Sequence, residues 1–211
     1  MKIITLNKSN RLVIVKQAVD VLKQGGTVVY PTETAYGLGA DFLNPEAIKK
    51  IYRIKGRNFK KLLSVIVADL KMAQKSVKFN KIALNLAKKY WPRALTLILN
   101  SKFSIPSKFK NSDYKTLALR VSADKLAGAI AKKLKNPLTA TSANLSGKGE
   151  LYSATAVIKE FKNKKFQPDL IIDAGKLAKA KPSTIVKISK NKMEILRQGN
   201  VVILERNKAR R

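Results

Sequence analysis

The chain has 211 residues, 45% of them hydrophobic, enough to bury a substantial core in one domain of ordinary size. It contains no cysteine and no histidine, which excludes disulfides, thiolate chemistry, imidazole general bases, Ser-His-Asp triads and His/Cys zinc sites. The 44 Lys and Arg against 13 Asp and Glu give a net charge of +31, a field suited to anionic ligands such as nucleotides or RNA, although lysine scattered this evenly also describes solvated faces.

No apolar run approaches the roughly 18 residues that span a bilayer, and MKIITLNKSN lacks the apolar segment of a secretory signal. The expected location is the cytoplasm, with no membrane partner. Ile3 to Leu6 reads as a short strand. Ser9 or Asn10 then caps a helix burying Val15, Ala18, Val19 and Leu22, closed by Gly25-Gly26. Thr27 to Tyr30 is an apolar β-branched run that stops at Pro31, which cannot donate to a ladder. It empties into hydroxyls, one carboxylate and two glycines, TETAYGLGA at 32–40, a ligand loop or an ordinary polar turn.

Asn44-Pro45-Glu46 supplies a cap, a first-turn proline and a first-turn acid for a helix burying Ala47, Ile48 and Ile51, which runs out at Lys55-Gly56-Arg57. Leu62 to Val67 is a continuous apolar strand, the pattern of a strand buried on both faces. Asp69 caps a short helix, and Ala83, Leu86, Ala87 and Tyr90 stripe the next one before Trp91-Pro92 breaks it. Leu95 to Leu99 is a strand, Asn100 to Lys115 a basic surface loop that could act as a lid, and Leu117 to Val121 a strand again. A helix follows on Leu126, Ala127, Ile130, Ala131 and Leu134, then a short strand LTA after Pro137. The last elements are a helix through Val157, Ile158 and Phe161, strands at 170–172, 184–188, 193–196 and 201–204, a turn at Asp173-Ala174-Gly175, and a basic tail from Arg206 to Arg211. Alternating helices and strands predict an α/β layered sheet with both faces covered, one domain over residues 1–205.

Two further stretches carry chemistry. Lys55-Gly56-Arg57 sets two cations about one glycine, either a clamp for a polyanion such as a triphosphate or an exposed helix end. Thr141-Ser142-Ala143-Asn144-Leu145-Ser146-Gly147 crowds short polar side chains directly after a strand, either as contacts for phosphate, ribose or an amino acid or as a capping turn. Neither a P-loop nor a Gly-x-Gly-x-x-Gly fingerprint occurs.

Six blocks in order, PTETAYGLGAD at 31–41, KGR at 55–57, LALRV at 117–121, TSANLSG at 141–147, PSTIV at 182–186 and LRQG at 196–199, resemble the YrdC-like L-threonylcarbamoyladenylate synthases. The resemblance runs from about Ile14 to Gly199. It implies a twisted mixed α/β sheet covered by helices around a large cationic cavity. The implied reaction joins ATP, L-threonine and bicarbonate into threonylcarbamoyl-AMP, releasing pyrophosphate, with Mg²⁺ accompanying the ATP. The product feeds N6-threonylcarbamoylation of adenosine 37 in tRNA through downstream transfer enzymes, and direct tRNA contact is a further expectation.

By position, Lys55, Arg57, Ser142 and Asn144 match the family's nucleotide-contacting set, with Lys55 and Arg57 as the catalytic cations. Thr116, Tyr152 and Arg197 fall where the nucleotide is held, and Thr32, Ser64, Arg120 and Ser183 where threonine binds, Arg120 facing its carboxylate. No protein nucleophile and no protein metal site is implied. Asn58, Leu62 and Arg93-Ala94 stand where the family commonly has proline or Pro-Gly-Pro, which bears on a cover around Asn58 to Lys61. Lacking the extra C-terminal domain of a longer branch, the chain resembles the minimal form. An RNA-binding or ribosome-maturation protein on the same fold, and a carbamoyl-transfer domain, are the competing readings. The role of Glu33 stays open between shaping its loop and holding a metal or amine.

Overall fold

The computed structural model describes residues 1–59, 61–103, 115–190 and 192–203. Along them run β1 (Lys2–Thr5), α1 (Arg11–Lys23), β2 (Val28–Tyr30), β3 (Gly37–Gly39), α2 (Pro45–Lys55), β4 (Ser64–Ile66), α3 (Leu70–Ser76), α4 (Lys81–Tyr90) and β5 (Leu95–Asn100). They continue through β6 (Thr116–Arg120), α5 (Lys125–Leu134), β7 (Leu138–Thr139), β8 (Thr141–Ser142), α6 (Ala154–Phe161), β9 (Leu170–Asp173), β10 (Thr184–Ser189) and β11 (Lys192–Arg197). The basic tail, Leu204, Lys60 and residues 104–114 of the expected lid loop lie outside the described residues.

The helix ends follow local chemistry. Asn44 Oδ1 accepts from the backbone N–H of Glu46 at 3.0 Å and Ala47 at 3.1 Å, Pro45 opens α2, and Gly56 closes it in the left-handed region at φ 57°. Asp69 and Asp124 cap α3 and α5 in the same way. Asn10 occupies the cap position of α1 but makes no capping bond. It pins the preceding turn instead, Oδ1 accepting from Asn7 N and Nδ2 donating to Thr5 O, each at 2.9 Å.

The layered α/β architecture is built on two mixed sheets, not one. The first runs β1-β9-β2-β3-β8 and the second β11-β10-β5-β6-β4-β7. The chain crosses between them at Ala140: β7 pairs with β4 in the second sheet, and β8, starting one residue later, pairs with β3 in the first. β3 was expected as loop because Gly37 and Gly39 are poor strand formers. They are needed there: a Cβ on Gly39 would stand 2.6 Å from Tyr30 Cε1 and 2.9 Å from Leu138 Cδ1.

Three apolar clusters separate the layers. Helices α2 and α6 cover one face of the first sheet, through Ile51, Tyr52, Val157 and Phe161 against Val29, Leu38 and Ile171. Helices α1 and α5 fill the space reached by Val28, Tyr30, Leu170 and Ile172 from that sheet and by Ile66 and Leu138 from the other. Helices α3 and α4 pack with Val65, Val67, Leu97 and Leu119 on the far side. Alternate residues of β4 thus enter different clusters, which is why its sequence reads as unbroken apolar. Val201 and Ile203 are buried against the third cluster without forming the strand expected at 201–204. The Val201 carbonyl is taken by Thr184 Oγ1 and by Gln198 Nε2, bonds from side chains where a ladder would need backbone.

Candidate active site

A cavity of about 330 Å³ opens beside the point where the chain changes sheets. Ala140, Thr141 and Ser142 form one wall and the Thr32–Gly37 turn another. Strand residues Ser64, Thr96, Ala118, Arg120 and Ile185 form the floor, and Arg57, Glu150, Ser183 and Arg197 complete the rim. The sheet crossing is fixed by Ser64, whose Oγ donates to Ala140 O at 2.8 Å while Ala140 N donates to the Ser64 carbonyl at 2.8 Å.

The Thr32 turn is self-supporting. Its Oγ1 donates to Ala35 O at 2.7 Å, accepts the N–H of Thr34 and of Ala35 at 3.2 Å each, and lies 3.0 Å from Thr34 Oγ1. Tyr36, at the end of the turn, donates to Gly175 O at 2.8 Å and accepts from Ala174 N at 2.9 Å, and burial raises its pKa.

Three guanidiniums meet the cavity, each tethered. Arg57 Nη2 donates to Leu62 O at 2.9 Å, leaving its buried Nε without a hydrogen-bond partner. Arg197 Nε donates to Ser183 O at 2.9 Å and its Nη2 to Ser183 Oγ at 3.2 Å, and Thr96 Oγ1 donates to the same Ser183 hydroxyl at 2.9 Å. Burial lowers the Arg197 pKa, against the pull of Glu150, and the charge of Arg120 lowers it further.

Arg120 Nη1 stands 2.9 Å from Glu33 Oε1, an ion pair outside hydrogen-bond geometry, since that oxygen has no hydrogen-bond partner. Ser122 Oγ donates to the other Glu33 oxygen. Of the roles left open for Glu33 in the sequence, holding shape is the one its contacts match: it anchors the Arg120 guanidinium from behind. Glu150 is the carboxylate on the rim, accepting from Tyr152 OH at 3.3 Å.

The structure therefore brings Thr32, Arg57, Ser64, Arg120, Ser142, Ser183 and Arg197 onto one cavity. Lys55 and Asn144 sit behind its wall, both buried: Lys55 Nζ contacts Ser142 O at 2.5 Å, Asn144 O at 2.8 Å and Asn144 Oδ1 at 3.4 Å. Asn144 Nδ2 in turn donates to the carbonyls of Leu145 and Lys148. Tyr152 reaches the cavity through Glu150, and Thr116 lies at the start of β6 opposite Asn100, away from the lining. Thr34 and Tyr36, polar residues of the loop singled out in the sequence, also line the cavity, whereas sequence reasoning missed Thr96 and Glu150. A lone hydroxyl inside the apolar run Leu95–Leu99 was the available signal for Thr96, whereas Glu150 stands in no recognisable pattern.

A family model described as telomere recombination, that of the Sua5, YciO and YrdC proteins, matches residues 20–199. The chain belongs to this family. Among its Sua5/YciO/YrdC relatives, a Methanocaldococcus jannaschii protein is 34% identical over 203 residues, 96% of this chain and 94% of its own length, and carries the name threonylcarbamoyl-AMP synthase provisionally. A Bacillus subtilis protein named threonylcarbamoyl-AMP synthase is 34% identical over 188 residues, 89% of this chain. The crystal structure of Pyrococcus abyssi Sua5 complexed with L-threonine superposes with a TM-score of 0.85 at 30% identity, covering 94% of this chain. The chain spans 54% of the Bacillus subtilis relative and 58% of the Pyrococcus abyssi one.

Chemically, the site can bind a polyanion through guanidiniums and align a small polar substrate through hydroxyls and the turn backbone. Among the described residues no group of three or more acidic, His or Cys side chains gathers as a metal site.

Proposed function

We propose that this chain is a threonylcarbamoyl-AMP synthase, forming the mixed anhydride and pyrophosphate from L-threonine, bicarbonate and ATP. One observation carries the reading: in a chain of this family, three tethered guanidiniums and a ring of hydroxyls converge on one cavity. At 330 Å³ the described cavity is at the small end for ligand pockets.

In this mechanism the threonine amine and bicarbonate give a carbamate and water, and a carbamate oxygen attacks the α-phosphorus of Mg–ATP as the bond to pyrophosphate breaks. Mg²⁺ offsets charge on the phosphates when it accompanies ATP. Arg57 and Arg197 take the phosphate side. Arg120, held by Glu33, faces the threonine carboxylate, with Thr32, Ser64 and Ser183 around the amino acid. With no histidine or cysteine in the chain, imidazole and thiolate catalysis are excluded, and in this mechanism rate comes from positioning and charge. The product serves tRNA N6-threonylcarbamoylation in the cytoplasm, through separate transfer enzymes. No described helix is long and apolar enough to cross a membrane.

The test is pyrophosphate release from ATP and bicarbonate with and without L-threonine. Threonine-dependent release is expected. Release that ignores threonine, or none from folded protein, refutes the reading.

A further inference from the structure

We infer that Lys55 serves the reaction as a positioning residue, fixing the backbone of the Thr141–Ser146 loop against α2, and makes no contact with phosphate. This rests on reading the cavity as a nucleotide site. An ammonium has three N–H donors and no acceptor. All three directions from Lys55 Nζ meet loop oxygens: Ser142 O at 2.5 Å, Asn144 O at 2.8 Å and Asn144 Oδ1 at 3.4 Å. The residue is 2% exposed and takes no part in the cavity lining. A phosphate could be reached only by giving up a loop bond.

The backbone closes the same junction from the other side, since Ser146 N donates to Lys55 O at 2.8 Å. A counterpart of opposite sign holds the next turn of the loop. Glu160 Oε1 accepts from Leu145 N at 3.1 Å, and Glu160 Oε2 pairs with Lys148 Nζ at 3.1 Å. The loop is thus drawn to a cation through its carbonyls and to an anion through an amide, which leaves the Ser142 edge on the cavity. A terminal ammonium of this kind acts on substrate through Ser142.

Burial lowers the Lys55 pKa to about 8, the nearby charge of Arg57 adds to the drop, and Glu160 on α6 opposes it. With the folded pKa below the usual 10.5, the unfolded chain binds more protons between these values, so the Lys55 contribution raises stability as pH increases. The junction is therefore judged by its geometry and not by its titration.

The test compares the full-length chain with Lys55→Met, which keeps the volume, and Lys55→Gln, which keeps two N–H donors. Hydrogen exchange without ligand should show protection at the Ala143, Leu145 and Ser146 amides falling about tenfold or more in Lys55→Met, with the other segments unchanged. Unchanged protection there overturns the inference. Equilibrium binding of AMP, ADP and ATP should weaken by one common factor, about tenfold or more, for a lost charged hydrogen-bond set. Lys55→Gln should recover part of it. A loss that grows with each added phosphate means direct phosphate contact and overturns the inference. If Lys55→Met does not fold, the exchange and nucleotide-binding results of Lys55→Gln decide. Wild-type protein that binds no nucleotide defeats the synthase reading instead, and the exchange result still judges the junction.

Discussion

Truncating Glu33 should be one of the costlier single changes in this chain. Arg120 is 7% exposed and Glu33 holds it at 2.9 Å, with Ser122, itself 5% exposed, donating to the second carboxylate oxygen. Glu33→Ala leaves a buried guanidinium without its counter-charge and a buried hydroxyl without its acceptor. Breaking a buried pair from one side costs about 3–5 kcal/mol. The contact to Oε1 lacks hydrogen-bond geometry, so the lower end, about 3 kcal/mol, is expected. For a domain of this size that is a fall of roughly 6–12 °C in Tm.

Urea and thermal unfolding of Glu33→Ala, Arg120→Met and the double variant form the assay, because the double variant removes both charges. Its loss should be smaller than the sum of the singles by about 1 kcal/mol or more. Glu33→Gln keeps an acceptor for Ser122, so it should fold better than Glu33→Ala while raising KM for threonine and leaving KM for ATP unchanged. A Glu33→Ala loss under about 1 kcal/mol, or strictly additive singles, would refute the anchoring role.

Two other substitutions probe the scaffold. A Cβ on Gly199 would stand 2.1 Å from Pro182 O and 2.7 Å from the Ser183 carbonyl carbon. Backbone must then move, so Gly199→Ala should lose about 3 kcal/mol in urea unfolding and reduce turnover by displacing Ser183 from the rim; wild-type stability would show that the two loops give way freely. Asn44→Ala removes a two-bond cap from α2 and should lose about 1 kcal/mol by thermal unfolding. Equal loss of Tm in Asn10→Ala, whose side chain caps nothing, would mean that capping is not the cause.

Legibility in the sequence tracked how local the cause was. α2 was readable end to end, since Asn44, Pro45 and Gly56 act on their own neighbours. β4 was readable as doubly buried because its residues enter two clusters. β3 was not, because its glycines answer to Tyr30 and Leu138 across the sheet, and a one-letter pattern carries no trace of that contact. Nor was the change of sheet at Ala140, where two strands abut without a turn residue between them. The cavity wall was legible as motif blocks, but the motifs did not say which face of the wall each side chain takes. Ser142 looks into the cavity and Lys55 looks into the loop behind it, although the two are bonded to each other.

Carboxylates are scarce in this chain, and their placement bears on the meaning of its charge. Glu33 anchors Arg120, and Glu160 holds the loop that carries Ser142. Asp69 and Asp124 cap helices, Asp169 accepts twice from Thr27, and Asp41 accepts from Leu43 and Asn136. Acids placed this way leave few to neutralise surface lysines, Glu160 with Lys148 and Glu46 with Lys49 being described pairs. The net +31 then acts mainly as self-repulsion, which disfavours the compact state. Added salt should relieve it, because the Debye length shrinks from about 30 Å at 0.01 M to about 8 Å at 0.15 M. Tm should therefore rise with sodium chloride over that range in wild type, and rise as much in Arg197→Gln, where an anion bound in the cavity would lose a partner. A fall in Tm with salt would mean that surface ion pairs outweigh the repulsion. A rise abolished by Arg197→Gln would assign the effect to an anion in the cavity.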